Sequence, residues 1–165
     1  ASDYYFADIW RCWEIYSKKY LKDIQKKESL NGISVYEDIK EVKTVLDLGC
    51  GMGFTTIFLK ELFNNADIIG TNLKDTPQFK IANDLGKKYN FSVVNDHKNI
   101  KTDLVFASEY FEHIEKPIEH LLDKGEKYMG KTISKMFNKA LKENGYIKIK
   151  TKLWNQRPNY WKYNG

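Results

Sequence analysis

The sequence predicts an α/β fold: a Rossmann-like, mostly parallel sheet with helices on both faces and a C-terminal antiparallel strand. Short apolar runs, Val45–Leu48, Ala66–Gly70 and Leu104–Ala107, alternate with segments of helical spacing, as parallel strands joined by crossover helices do. A glycine-rich turn, Gly49 to Gly53, joins the first run to the helix after it. From Tyr146 the chain alternates apolar residues with lysines, the period of a strand with one wet face. At 165 residues these elements fit one domain with a sizeable core.

Asp3 is a suitable N-cap for a first helix reaching about Lys27, with Phe6, Trp10, Trp13, Tyr20 and Ile24 among its inward positions. Asn31-Gly32 marks a turn, and Val35 to Glu41 reads as a short second helix. Thr44–Leu59, T-V-L-D-L-G-C-G-M-G-F-T-T-I-F-L, is the stretch around which the rest is arranged. Its strand, glycine loop and helix bring backbone amides close to a ligand, because glycine has no Cβ to obstruct the approach and adopts positive φ freely. A nicotinamide fingerprint is disfavoured, since the third glycine comes one residue early for Gly-x-Gly-x-x-Gly.

Gln78 to Tyr89 reads as a helix, Phe91–Val94 as the third strand and Leu104–Ala107 as the fourth. Pro117 to Asp123 and Ile133 to Lys142 are helical, and Asn144-Gly145 ends the second. Between Leu122 and Thr132 the residues are polar and glycine-containing, and give no convincing strand. Either the sheet is abridged there or residues are missing from the chain. The second is expected, because an absent inner strand would leave two unpaired edges.

Composition narrows the function classes. A formal net charge of +5 with scattered lysine pairs describes a solvated face or a polyanionic partner such as DNA or RNA. Cys12 and Cys50 give neither a disulfide framework nor a zinc pattern. No apolar run approaches membrane-spanning length and no secretory leader is visible, so no membrane partner and a cytoplasmic location are expected. Glu109, Glu112 and His113 are not spaced as a metal site, and no metal is expected. The oligomeric state is not legible.

The motif D-L-G-C-G-M-G resembles the first motif of the class I S-adenosylmethionine (SAM)-dependent methyltransferases. I-I-G-T-N-L at Ile68–Leu73 and D-L-V-F-A-S-E-Y-F-E-H-I at Asp103–Ile114 fit the same family, so the resemblance covers roughly Val42 to Tyr146. It implies that residues 1–165 form a single methyltransferase domain. Residues 1–40 would be an N-terminal helical lid, with Tyr4, Tyr5 and Trp13 facing the pocket. The family's sheet has seven strands, against six read here.

The resemblance also implies a site at the carboxyl ends of the strands. Asp47 would hold the ammonium of SAM, and the backbone of Gly49, Cys50, Gly51 and Gly53 its carboxylate. Asp96 would take the adenine amino group, with Leu73 and Ser108 completing the cofactor set. Where the family carries an acid that accepts from both ribose hydroxyls, this chain has Asn72, whose amide offers one acceptor oxygen and a donor. Asn72→Asp is therefore expected to keep or raise cofactor affinity, and Asp75 is a candidate stand-in. Glu109 and His113 would position the acceptor beside the transferred methyl, His113 alternatively pinning its loop.

The acceptor is read from weaker signals. Ala107–Tyr110, A-S-E-Y, departs from the Pro-Pro motif of DNA amino-methyltransferases, and E-H-I-E-K-P at Glu112–Pro117 looks like small-molecule members. The tail T-K-L-W-N-Q-R-P-N-Y-W-K-Y alternates cations with aromatics as a base-stacking surface does, which favours a DNA or RNA acceptor. A small-molecule methyltransferase and a non-catalytic SAM-binding subunit are the alternatives.

Overall fold

In the computed structural model the described residues are 35–95, 98–107, 119, 122, 125–130, 135–149 and 160–165. The first predicted helix lies outside them, as do residues 1–34 of the expected lid, Asp96, Ser108, Glu109, Glu112, His113 and the 151–159 part of the tail.

Seven strands form one sheet: β1 (Thr44–Leu48), β2 (Asp67–Thr71), β3 (Ser92–Val94), β4 (Thr102–Ala107), β5 (Gly125–Gly130), β6 (Tyr146–Ile149) and β7 (Tyr160–Tyr163). Their order is β3-β2-β1-β4-β5-β7-β6. The β1–β2, β1–β4, β2–β3 and β4–β5 pairs are parallel, whereas β7 runs antiparallel to both β5 and β6. The chain thus starts in the middle at β1, builds outward to β3, and crosses back to β4. That reversal opens a crevice at the carboxyl ends of β1 and β4.

Side-chain alternation divides the core in two. Val45, Ile68, Leu104 and Phe106 pack on one face with Ile57 and Leu59 of α2 (Phe54–Leu62) and Ile39 of α1 (Val35–Ile39). Leu85 of α3 (Pro77–Tyr89) joins the same face. Leu46, Leu48, Val105 and Tyr128 pack on the other face with Leu141 of α4 (Lys135–Glu143). Helices therefore cover both faces, as expected. Local chemistry sets the ends of α3. Thr76 Oγ1 accepts from the Phe79 amide at 3.1 Å, Pro77 occupies the first turn, and Asn90 closes the helix in the left-handed conformation. Asp103 Oδ2 accepts from the Lys43 and Thr44 amides at 2.8 and 3.1 Å, tying the start of β4 to the start of β1.

The expectation of a missing fifth strand is corrected: β5 occupies 125–130, inside the stretch that read as polar. G-E-K-Y-M-G hides its strand character because only Tyr128 is a strong β-former. Its burial comes from both neighbours, through Val105↔Tyr128 on β4 and Tyr128↔Trp161 on β7. Gly125 is there because the strands approach closely: a Cβ would lie 2.6 Å from the Thr102 carbonyl oxygen.

Lys127 and Lys162 sit directly opposite one another on β5 and β7, a repulsive pairing on its own. Asp38 of α1 resolves it. Its carboxylate accepts from Lys162 Nζ at 2.9 Å and from the Tyr160 hydroxyl at 2.6 Å, while its carbonyl accepts from Lys127 Nζ at 2.8 Å. Burial raises the Asp38 pKa, but the hydrogen bonds from Tyr160 and Lys162 and the charge of Lys127 outweigh it and hold it below the usual range.

Candidate functional site

The glycine loop lies where β1 runs into α2. Gly49, Gly51 and Gly53 have φ of 68, 55 and 93°, left-handed values that favour glycine. The end of β2 fixes the loop from the side. Thr71 Oγ1 accepts from the Gly49 amide at 3.0 Å, and the Thr71 carbonyl accepts from the Cys50 amide at 2.8 Å. Among the described residues, no atom lies within 4 Å of a Cβ placed on Gly51, so none of them covers this edge of the loop. A Cβ on Gly53 would press at 3.3 Å on Ala82 Cα and Phe91 Cζ, so that glycine serves packing. Cys50 is buried, and burial followed by the nearby Asp47 charge drives its thiol pKa far up, which leaves it inert as a nucleophile.

Asp47 is the next-to-last residue of β1 and is only 3% exposed. Thr56 Oγ1, from the first turn of α2, donates to its Oδ2 at 2.8 Å. Burial pushes the carboxyl up to about 7, and the Thr56 bond offsets only part of that. Among the described residues no cation contributes to holding its charge. A buried acid with a neutral donor, beside an open glycine loop, suits a ligand that brings its own positive charge.

Asn72 follows β2 and closes the loop from above. Its Nδ2 donates to the Gly51 carbonyl at 2.6 Å, and its Oδ1 accepts from the Leu73 amide at 2.8 Å. The Asn72 amide itself donates to the Val94 carbonyl at 3.1 Å, which ties the loop to β3. Leu73 is 73% exposed, a large apolar side chain beside the loop. Asp75 is exposed and has φ of 62°.

The structure thus brings together Asp47, Gly49, Cys50, Gly51, Asn72 and Leu73 at one edge of the sheet. Gly53 anchors the far side of the loop. Cofactor candidates Asp96 and Ser108 and catalytic candidates Glu109 and His113 lie outside the described residues. Sequence reasoning passed over Thr56 and Thr71, whose hydroxyls fix Asp47 and the loop. Their signal was a threonine at a buried helix position and another ending a strand beside a glycine turn. No group of three or more His, Cys, Asp or Glu residues able to hold a metal occurs among the described residues. Nor, among them, is any helix long and apolar enough to cross a membrane.

A switch-point crevice with a glycine loop over a buried acid fits a Rossmann-like domain of the class I methyltransferases, whose cofactor is SAM. The chain belongs to the methyltransferase domain family, whose model matches residues 16–164. It is 30% identical over 99 residues to the putative methyltransferase 235L of Invertebrate iridescent virus 6, covering 58% of this chain and 37% of that protein. The O-MT of StiE superposes with a TM-score of 0.54 at 17% identity, over 72% of this chain and 54% of that one. The plantazolicin methyltransferase BpumL, solved with a monoazolic desmethylPZN analog and SAH, gives 0.51 at 19% identity, over 69% and 46%. The chain therefore spans about a third to a half of the length of these relatives.

The DNA or RNA partner expected from the tail is corrected. The structural relatives are an O-MT and a plantazolicin methyltransferase, not nucleic-acid enzymes. The physical reason is visible in β7. Tyr160 and Trp161 are 0% and 4% exposed, so these aromatics build core instead of a stacking platform. Lys162 is paired with Asp38, and Lys148 lies over the Trp161 ring at 5.7 Å. The alternation belongs to a strand covered on both faces, Tyr160 packing in one core layer and Trp161 in the other.

Proposed function

We propose that this chain is the SAM-dependent catalytic domain of a methyltransferase that acts on a small molecule or peptide. The observation that carries it is the Asp47 carboxyl, buried beside a glycine loop whose Gly51 edge no described residue covers. Bound there, SAM supplies a methyl group already activated on a sulfonium. Asp47 would balance the ammonium, through water or across a short gap, since so little of it is exposed. The Gly49, Cys50 and Gly53 amides are already bonded within the protein, so the Gly51 and Met52 amides would receive the carboxylate near the start of α2, where the helix dipole favours an anion. Leu73 offers apolar surface to the adenine side. Glu109 and His113 are proposed to align the acceptor and to take up its proton where the nucleophile is an amine or hydroxyl. Names such as plantazolicin methyltransferase among the relatives support a small-molecule or peptide acceptor.

Calorimetry with S-adenosylhomocysteine (SAH) tests the cofactor reading, with micromolar binding expected. Labelled-methyl transfer into size-fractionated cell extract tests the acceptor. Label should enter the small-molecule or peptide fraction. Label confined to nucleic acid or intact protein would overturn the reading.

A further inference from the structure

We infer that Asn72 is a positioning residue that clasps the glycine loop shut, not a weakened copy of the family's ribose-binding acid. The inference rests on the loop being the cofactor cradle. A Cβ on Gly51 would meet none of the described residues, and the Gly51 carbonyl receives Asn72 Nδ2 at 2.6 Å. The same side chain accepts from the Leu73 amide at 2.8 Å, so one amide group bridges the loop and the strand exit. Both halves of the amide are needed, because one bond requires a donor and the other an acceptor. A carboxylate keeps only the second. At position 72 it would set an anionic oxygen against the Gly51 carbonyl oxygen, with no hydrogen between them.

The geometry therefore reverses the expectation drawn from the sequence. Asn72→Asp does not restore a lost ligand contact; it opens the clasp. Once both bonds are made, Asn72 retains one acceptor lone pair on Oδ1 and one hydrogen on Nδ2, enough for a single acceptor contact but not the paired acceptance of a diol. Among the described residues, the charged groups on the elements that meet at Asn72 are Lys74 and Asp75, both exposed in its own loop, and the buried Asp47 in the strand that leads into the glycine turn.

Protonation separates the two accounts. A neutral aspartic acid at 72 can donate to the Gly51 carbonyl as the amide does, whereas a ribose-binding acid works best ionised. The experiment compares SAH affinity of Asn72→Asp and Asn72→Ala with the parent at several pH values, as a ratio so that Asp47 cancels. Asn72→Asp should bind about tenfold more weakly near pH 8, the scale of one lost hydrogen bond to backbone. The deficit should close as pH falls towards about 4, where an aspartate gains its proton. Asn72→Ala should be weak throughout. Equal or tighter binding by Asn72→Asp near pH 8, or a ratio that improves with rising pH, would overturn the clasp. Amide exchange in the ligand-free chain gives a separate readout: Asn72→Ala should speed exchange at Leu73. If the parent does not bind SAH, the cofactor reading fails. The clasp is then judged by exchange alone, faster exchange supporting it and unchanged exchange overturning it.

Discussion

The two ends of the sheet are held together over different ranges of the chain. Around β1 and β2 the decisive side-chain bonds are local: Thr56 to Asp47 spans 9 residues, Asn72 to Gly51 spans 21, and Gly49 to Thr71 spans 22. Around β5 and β7 the bonds that matter converge on Asp38 from 89, 122 and 124 residues away. The first region is one strand–helix–strand unit that contains the candidate cofactor loop and the side chains that fix it. The second is a closure, in which the neighbours of each strand are supplied by distant parts of the chain. Local specification makes a motif, whereas long-range specification makes a surface that has meaning only after folding.

Glycine substitutions give the largest contrast. Gly125→Ala drives a methyl into the Thr102 carbonyl oxygen and the Val105 side chain, and should cost about 3 kcal/mol in urea unfolding. The first added carbon of Gly51→Val meets none of the described residues, so the main expected cost is the left-handed strain, about 1–2 kcal/mol. It should nevertheless lower SAH affinity by more than about a hundredfold in calorimetry. Gly51→Asn, which tolerates positive φ, should lose binding with still less loss of stability. If Gly51→Val bound SAH normally, the cradle would lie elsewhere.

Asp38→Ala tests the distant closure next. It removes two side-chain hydrogen bonds and leaves Lys127 facing Lys162, so a loss of about 2 kcal/mol is expected after allowing for partial exposure. SAH affinity should be little changed, and a large change would mean the two ends are coupled.

Titration sharpens the contrast at smaller scale, because the two acids shift in opposite directions. The Asp47 pKa is raised to about 7, so its contribution to stability is complete below about 3.8 and is lost as pH rises through 7. The Asp38 pKa is lowered, so its contribution is present above the usual carboxylate range and is lost as pH falls through its lowered value. Urea unfolding between pH 5 and 8 should show stability falling with pH, by at most about 1.4 kcal/mol per unit from one group. Asp47→Asn should flatten that slope, whereas Asp38→Asn should leave it in place. A slope that survives Asp47→Asn would assign it to another group.

Much of this was legible in the residues. β1, β2 and β4 announced themselves because strands buried on both faces read as apolar runs. The glycine loop was visible because positive φ restricts the residue type. Asp47 was named as a site candidate through the resemblance, but its burial was not visible. Asn72 was singled out, but one-letter order cannot show that its side-chain amide donates to the Gly51 carbonyl. β5 was hidden because its character comes from Trp161 and Tyr160, which arrive from more than thirty residues later. The same strands misled the reading of the tail: Trp161 and Lys162 alternate because one faces core and the other Asp38, and that periodicity carries no information about a partner.

The place of β7 between β5 and β6 has a consequence for how the molecule is made. In order of synthesis β7 follows β6, yet in space it separates β6 from the rest of the sheet. As the chain emerges, β5 must wait with one row of amides and carbonyls unpaired, and β6 has no strand to join among those described. Residues 160–163 close both gaps at once. The right-hand half of the sheet is thus assembled like an arch, standing only when its keystone is set.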